Sequence, residues 1–346
     1  MSAAIAKPTI GNLTGSAVAN PNPSNFDREY LVPVIIGAVT PQTINMDLDT
    51  GSSDLWVFSN STPGAQATGH VVYQPNTCNA STCAKLLPGE TWSIQYSDMS
   101  SSSGIVYSDL VTIGGAAVSS QAVEAAQIVS SSFTTDTANS GLLGMAFSSL
   151  NTCRPQQQLT WFDNIKASLA AEVWTANLQK GAAGTYNFGY IDSTAYNSNI
   201  TYTPVSTLRG FWEFTFSGYQ LGSSSFVTTD MAAIADTGTT LLLLPSAVVE
   251  SYWAQVPSAH LEPSLGAYIY PCSATPPNFT FGIGSYRGVV PGSYLAYGPV
   301  SSQWCYGGIQ SQGSSPFSVF GDVLLKAQFV VFDVGNLRIG YAAKKT

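Results

Sequence analysis

The sequence predicts a mostly β protein made of two related lobes that share one cleft. Three observations carry this. Short apolar runs alternate with period two and are separated by Gly, Ser, Asn and Pro, the pattern of strands and turns. Helical periodicity is confined to two short segments. One acidic turn, Asp49-Thr50-Gly51-Ser52, returns half a chain later as Asp236-Thr237-Gly238-Thr239.

Taken in order, the strands are expected over Tyr30–Ile36, Ile44–Leu48, Trp92–Tyr96, Ile105–Ile113, Thr185–Tyr190, Phe211–Tyr219 and Phe329–Asp333. In the third of these Trp92, Ile94 and Tyr96 fall on one face. A helix is expected over Trp161–Ala170, where Phe162, Ile165 and Leu169 share a face. A second is expected over Pro245–Val256, with Pro at a first-turn position ahead of Val248, Val249, Tyr252 and Trp253.

The repeat extends beyond the turn. INMDL precedes the first acid turn and DLWVF follows it; MAAIA precedes the second and TLLLLP follows it. Each half later carries a second echo, SGLLGMAF at 140–147 and SVFGDVLL at 318–325, with two apolar residues before a glycine. One Asp-Thr-Gly-Ser/Thr arises by chance in roughly one chain per hundred of this length. Two copies in corresponding contexts are far rarer, so each half is expected to supply one aspartate to a shared site.

Composition narrows the function. The chain has 346 residues, of which 45% are hydrophobic and only 9% charged, so a large core is available. Its formal net charge of −8 excludes the basic footprint that nucleic acid requires. No apolar run approaches the ~20 residues of a spanning helix. The longest, Leu241–Leu244, reads as a core strand. Residues 1–14 lack the basic start and apolar run of a signal peptide and read as an N-terminal extension or a pro-segment remnant.

Sequons at Asn12, Asn60, Asn79, Asn199 and Asn278, together with few basic residues, favour a secreted protein, extracellular or vacuolar. Five cysteines then allow two bridges and one thiol. Cys78 and Cys83 bracket a short loop, and Cys272 and Cys305 lie in the second half. Both pairs are expected to close, contributing roughly 2 and 3–4 kcal/mol respectively by chain entropy. Cys153 is left as a buried small apolar residue. The spacings fit no zinc site, and no metal or cofactor is expected.

Two carboxylates within hydrogen-bond reach cannot both ionise easily, so they share a proton. One then acts as a base and the other as an acid, and between them they can activate a water to attack an amide. Thr50 and Thr237 can link the two turns by hydroxyl–backbone hydrogen bonds. Gly51 and Gly238 let the backbone approach the acids, and Ser52 and Thr239 can donate to the outer carboxylate oxygens.

With these motifs the chain resembles the pepsin-like aspartic proteases, most nearly the fungal endothiapepsin-like branch. The resemblance runs from about Tyr30 to Tyr341, through DLDTGSSDLWVF, TWSIQYSD, VSSSF, GLLGMAFSSLNT, WFDNIKASL, GTYNFGYID, IADTGTTLL, YWAQV, PCSAT, CYGGIQ and FGDVLLKAQFVVFD. It implies an all-β bilobal double-ψ β-barrel fold with pseudo-twofold symmetry and a deep inter-lobe cleft. The lobes would span 15–192 and 193–346. It also implies a catalytic dyad at Asp49 and Asp236, activity at acid pH, extended polypeptide substrates, inhibition by pepstatin-type compounds and a monomer. Cys272–Cys305 matches the family's C-terminal bridge, and Cys78–Cys83 one that this branch often lacks.

By the same resemblance TWSIQYSD begins a hairpin flap over the cleft. Tyr96 would be its aromatic tip packed toward Trp56, with the amides of Ser97 and Asp98 bonding the substrate backbone. The family usually has Gly where this chain has Ser97 and Met99, which leaves the flap's shape open. The pocket residues carried over are Asp47, Phe133, Leu142, Phe211, Ile234 and Thr240, with Leu243 where the branch often has Tyr. Tyr96, Phe133 and Leu142 would receive an apolar residue before the cut, and Asp47 and Asp98 would allow Lys there.

Several residues have plainer readings. Asp54 is expected at solvent and Asp322 as a structural hydrogen-bonder. His70 and His260 are expected in surface or loop positions, and Asp98 reads either as a solvated tip or as a specificity residue. The alternative function is a pepsin-like protein that binds peptides without cutting. The intact turns favour the enzyme; the altered flap is the argument for the binder.

Overall fold

A computed structural model describes residues 11–22, 27–78, 80 and 82–345. Residues 1–10 of the expected extension, and the sequon at Asn79, lie outside that set. The fold is all-β and bilobal, with a few short helices. No helix among the described residues is long and apolar enough to cross a membrane.

The repeated sequence builds the same knot of strands twice. In the first lobe the strand Gln42–Asp49 runs parallel to Gly141–Gly144, with Leu48 beside Leu143 and Asp49 beside Gly144. The strand that leaves the acid turn, Leu55–Phe58, pairs antiparallel with Gly141–Gly144 on its other side. In the second lobe Val227–Ala235 runs parallel to Ser318–Phe320, and Leu242–Leu244 pairs antiparallel with that same strand. Each apolar-apolar-Gly echo is therefore the strand inserted between the two arms of an acid turn. Gly144 must be glycine, because a Cβ there would lie 2.4 Å from the Ser53 Cα.

One sheet joins the halves. It runs from Gly15–Pro21 through Ala182–Phe188, Val173–Gln179, Gln328–Asp333 and Arg338–Ala343 to Thr201–Ser206, all antiparallel. The crossing is Val331 opposite Thr175. It is packed by Trp174, stacked on Phe332 at 3.8 Å, with Trp212 edge-on to the same ring at 4.9 Å. The largest core is continuous across both lobes and this joint, while a separate cluster of Trp56, Phe58, Trp92, Ile94, Val106 and Leu142 lies under the flap.

The expected elements appear with shifted limits. The strand placed at Trp92–Tyr96 is the end of a longer arm, Lys85–Gln95, and Phe211–Tyr219 becomes Glu213–Leu221. Thr185–Tyr190 becomes Ala182–Phe188, ending before Gly189, whose φ is +82°. The helix at Trp161–Ala170 is shorter, Trp161–Ile165 followed by a 3₁₀ turn over Lys166–Ser168. Thr160 caps its start by accepting from the Asp163 N–H at 3.2 Å. The second helix is Ser246–Trp253, and Pro245 stands just ahead of it rather than in its first turn. Bridges join Cys78 to Cys83 and Cys272 to Cys305, and Cys153 is free and buried.

Candidate active site

The two acid turns meet at the floor of the cleft. Asp49 ends its strand, and its carboxylate accepts from the Gly51 N–H at 2.7 Å and from the Ser52 hydroxyl. Asp236 is held the same way, by the Gly238 N–H at 3.0 Å and the Thr239 hydroxyl at 2.7 Å. The second threonine therefore does the work of the first turn's serine.

The turns also hold each other. The Thr50 N–H donates to Thr237 Oγ1 at 3.1 Å, and the Thr237 N–H donates to Thr50 Oγ1 at 2.9 Å. Each hydroxyl then donates onward, Thr50 Oγ1 to the Ala235 carbonyl at 2.8 Å and Thr237 Oγ1 to the Leu48 carbonyl. Both threonines are buried, so every one of these groups would be costly to leave unpaired. The glycines follow from the approach of the opposite acid. A Cβ on Gly51 would stand 2.6 Å from Asp236 Oδ1, and one on Gly238 2.2 Å from Asp49 Oδ1.

The carboxyl groups of Asp49 and Asp236 hydrogen-bond to one another in near-complete burial. Burial, and next the facing Asp236 charge, push Asp49 up to about 8. Burial also raises Asp236, opposed by its Thr239 and Gly238 hydrogen bonds. The pair titrates as a unit and retains one proton through the acid range. Chemically it presents a base and an acid side by side.

The segment expected to form the flap is a hairpin of Lys85–Gln95 and Ser101–Ile113, with Gln95 opposite Ser101. Tyr96 sits at its end, and its hydroxyl accepts from Trp56 Nε1 at 2.8 Å. The Met99 N–H closes the tip turn on the Tyr96 carbonyl at 3.0 Å. The Asp98 carboxylate accepts from the Ser100 N–H at 2.9 Å and from its hydroxyl at 2.6 Å. Of the two positions where the family usually has Gly, only Met99 adopts a left-handed conformation, with φ +70°. Its side chain is 71% exposed, and Ser97 is also exposed.

Beside the acids lies a cavity of about 350 Å³. Of the residues expected at the pockets and the flap, it is lined by Asp47, Trp56, Asp98, Phe133, Leu142 and Thr240. Phe133 packs edge-on against both Trp56 at 5.0 Å and Tyr96 at 5.5 Å. Among the described residues Asp47 Oδ1 is buried without a hydrogen-bond partner, and burial, then Glu29, holds its carboxyl well above the usual range. Phe211, Ile234 and Leu243 do not line this cavity. Phe211 packs against Phe317 at 5.7 Å. Ile234 is buried between Glu213 and Val319, and Leu243 is half-buried beside Gln310.

Sequence reasoning missed the acids Glu29 and Asp136 in the same wall. Asn22 Nδ2 donates to both Asp136 oxygens at 2.9 and 3.1 Å and to Glu29, while Asn139 Nδ2 donates to Glu29 at 3.1 Å. Burial, then Asp136, pushes Glu29 up to about 8. No local pattern marks these residues, which come from two segments distant in the chain.

Two readings need correction. Asp54 is not at solvent: it is fully buried and accepts from the Thr152 N–H at 2.9 Å and the Thr152 hydroxyl at 2.7 Å. The run into Leu55–Phe58 passes through the core, and this neighbour supplies what water would have given. Asp322 is not a hydrogen-bonder: among the described residues neither carboxyl oxygen has a partner, and burial raises it strongly despite nearby Lys326. His70 is half-buried, stacked on Phe58 at 3.7 Å, whereas His260 is exposed.

The family model described as eukaryotic aspartyl protease matches residues 29–344. Endothiapepsin of Cryphonectria parasitica is 56% identical over 335 residues, covering 96% of this chain and 78% of that protein. Penicillopepsin-3 of Penicillium janthinellum is 50% identical over 331 residues, covering 95% and 81%. Podosporapepsin of Podospora anserina is 50% identical over 334 residues, covering 96% and 77%.

Proposed function

Because the chain belongs to the eukaryotic aspartyl protease family, in its fungal pepsin-like branch, we propose that Asp49 and Asp236 are the dyad with which it hydrolyses peptide bonds as a secreted acid endopeptidase. One observation supports this above others: two buried carboxyl groups face each other, each held by its own turn, and the turns are locked by reciprocal threonine bonds. A pair that shares one proton is both base and acid. The ionised carboxylate takes a proton from water as the oxygen attacks the amide carbon, and the protonated partner donates to the carbonyl oxygen. Breakdown of the tetrahedral intermediate then transfers a proton to the leaving nitrogen.

Thr50, Gly51, Ser52, Thr237, Gly238 and Thr239 hold this geometry. The substrate lies extended, its backbone bonded by the amides of Ser97 and Asp98, with Tyr96 closing over it. Phe133, Leu142 and Tyr96 take an apolar or aromatic side chain before the cut, and Asp47 and Asp98 extend that tolerance to Lys. Thr240, Phe211, Ile234 and Leu243 shape the remaining pockets. We assign the lobes to 15–192 and 193–346, and read the protein as a monomer without nucleic-acid or membrane partners. The exposure of Asn12, Asn60, Asn199 and Asn278 is compatible with glycosylation during secretion.

The test is cleavage of a denatured globin at about pH 3–5 with and without pepstatin. Pepstatin-sensitive cleavage is expected, and Asp236→Asn should abolish it while leaving the circular dichroism spectrum intact. Failure of the fully processed protein to cut would favour the alternative, a peptide-binding protein without turnover.

A further inference from the structure

A path of hydrogen bonds joins the backbones of the two acid turns through Trp212. This residue stands just ahead of the strand Glu213–Leu221, in the second half of the chain. Its carbonyl accepts from the Ala235 N–H at 3.2 Å, one residue before Asp236. Its indole Nε1 reaches into the first half and donates to the Met145 carbonyl at 2.9 Å. Met145 follows the inserted strand Gly141–Gly144, and its own N–H donates to the Asp49 carbonyl at 2.7 Å. The Ala235 carbonyl accepts from Thr50 Oγ1 at 2.8 Å, next to Asp49. The bonds therefore close on themselves, from Asp49 through Met145, Trp212 and Ala235 to Thr50. Met145, Trp212 and Ala235 are buried.

The indole is held among rings, Phe147 and Phe332 each at 4.9 Å and Trp174 edge-on at 6.3 Å. Such packing leaves it little freedom, so its length sets the spacing between its own backbone and the Met145 carbonyl. The threonine bonds lock the turns to each other; this path aligns the main chain that carries them. Two carboxyl groups that share a proton are sensitive to small displacements, because both their hydrogen bond and their mutual repulsion weaken with distance. Without the indole donor the Met145 carbonyl would be buried and unpaired, and its segment would shift to relieve that cost, drawing on the Asp49 bond. A backbone bond from the Phe147 N–H to the Gly210 carbonyl at 3.0 Å still joins the same two segments. Loss of the indole bond thus disturbs alignment without parting the halves.

We propose that Trp212 is a positioning residue for the dyad, setting the separation of the Asp49 and Asp236 carboxyl groups by tying the backbone of the first acid, through Met145, to the backbone before the second. This rests on the endopeptidase reading above. It deepens that reading by naming a residue outside the turns on which the sharing of the proton depends. Trp174 supplies the contrast. It belongs to the same aromatic cluster, stacked on Phe332 at 3.8 Å, but among the described residues its Nε1 has no partner.

The test is kcat, KM and the pH profile of kcat/KM on a quenched fluorescent peptide. Cleavage by a singly protonated pair gives a bell-shaped profile, and the distance between its limbs reports how strongly the two carboxyl groups oppose each other. Replacing Trp212 by 3-benzothienylalanine keeps the ring outline and exchanges the N–H for sulfur; Trp212→Phe removes the donor with part of the ring. Each should lower kcat about tenfold with KM within about twofold, and draw the limbs together by about half a pH unit. The benzothienyl form keeps the packing even where Trp212→Phe does not fold. Trp174→Phe should lower the thermal midpoint yet leave the limbs in place and kcat within about twofold. An unchanged profile and kcat without the indole donor would overturn the proposal. Limbs moved as far by Trp174→Phe would also overturn it, since loss of packing alone would then suffice. In both cases cleavage by the wild type would leave the endopeptidase reading standing. Failure of the wild type to cut the peptide or denatured globin would overturn both.

Discussion

Asp54 and Glu124 form a second pair of facing carboxyl groups, away from the cleft floor and within the first lobe. Glu124 Oε1 accepts from Asn151 Nδ2 at 2.9 Å and from Cys153 Sγ at 3.3 Å, and Asp54 Oδ1 is satisfied by Thr152. Among the described residues the other oxygen of each acid, Oδ2 and Oε2, is buried without an ordinary donor, and the two groups hydrogen-bond to each other. Among the described residues, Asp54, Glu124 and Cys153 are the one group of such side chains close enough to share a cation. Burial, then Asp54, raises Glu124 strongly, so in the acid range the site is filled by a proton. Arg154 lies near enough to favour the charge on Asp54, Tyr96 feels the cluster from a neighbouring element, and the Glu90 charge helps keep Cys153 protonated.

A carboxyl group whose folded pKa is raised contributes its full stability below the unfolded value, near 4.3, and loses it as pH rises. Glu124→Gln removes the titration, keeps the shape and donates to Asp54. It should leave the thermal midpoint at pH 4 nearly unchanged and stabilise the protein at pH 7 by about 1–3 kcal/mol. Equal effects at both pH values would refute this. The pair was not legible in local spacing. Asp54 sits five residues from Asp49 in an apolar run, and its partner lies on the distant strand Ala116–Val129, where Glu124 is opposite Trp56. A burial that depends on long-range register leaves no mark in local spacing.

At the scale of the element, the flap combines a rigid base with a strained tip. Its base packs Trp56, Trp92 and Phe133, and the Trp56–Tyr96 hydrogen bond holds the end of the hairpin. Its tip turns through Met99 in a conformation that costs a non-glycine residue about 1 kcal/mol or more. Trp56→Phe would keep the packing and remove only the donor. We expect kcat/KM to fall about five- to tenfold, the equivalent of one hydrogen bond, with a stability loss under about 1.5 kcal/mol. An unchanged kcat/KM would show that the bond does not position the flap. The hairpin itself was legible from the alternation of Trp92, Ile94 and Tyr96. Its length was not, because the outer half of Lys85–Gln95 is exposed and carries no apolar period. The acid turns were legible for the opposite reason: their repetition is a long-range signal written twice in local form.

At the scale of the molecule, the chain carries 20 acidic and 12 basic side chains, and many of the acids are buried. Asp47, Asp49, Glu29, Glu124 and Asp322 all have raised values, each chiefly through burial. The folded state therefore holds protons that the unfolded chain releases above about pH 4. Each contributes up to about 1.4 kcal/mol per pH unit, in the direction of stability lost as pH rises from about 4 toward 8. Thermal denaturation should give its highest midpoint in the acid range and a steady fall toward pH 8. A higher midpoint at pH 8 than at pH 4 would contradict this. The sign was foreseeable from the scarcity of basic residues, but one source was not: particular buried carboxyls lose solvation.

The reciprocal threonine bonds have a consequence for how this protein could be taken apart. Thr50 satisfies the backbone of the second turn and Thr237 that of the first, so neither half contains a finished version of its own acid loop. Activity is thus a logical conjunction of the two halves. Produced as separate fragments, they would meet along the Val173–Gln179 and Gln328–Asp333 strands, and turnover would appear only on reassembly. The symmetric architecture is in this sense a built-in two-input circuit whose output is proteolysis.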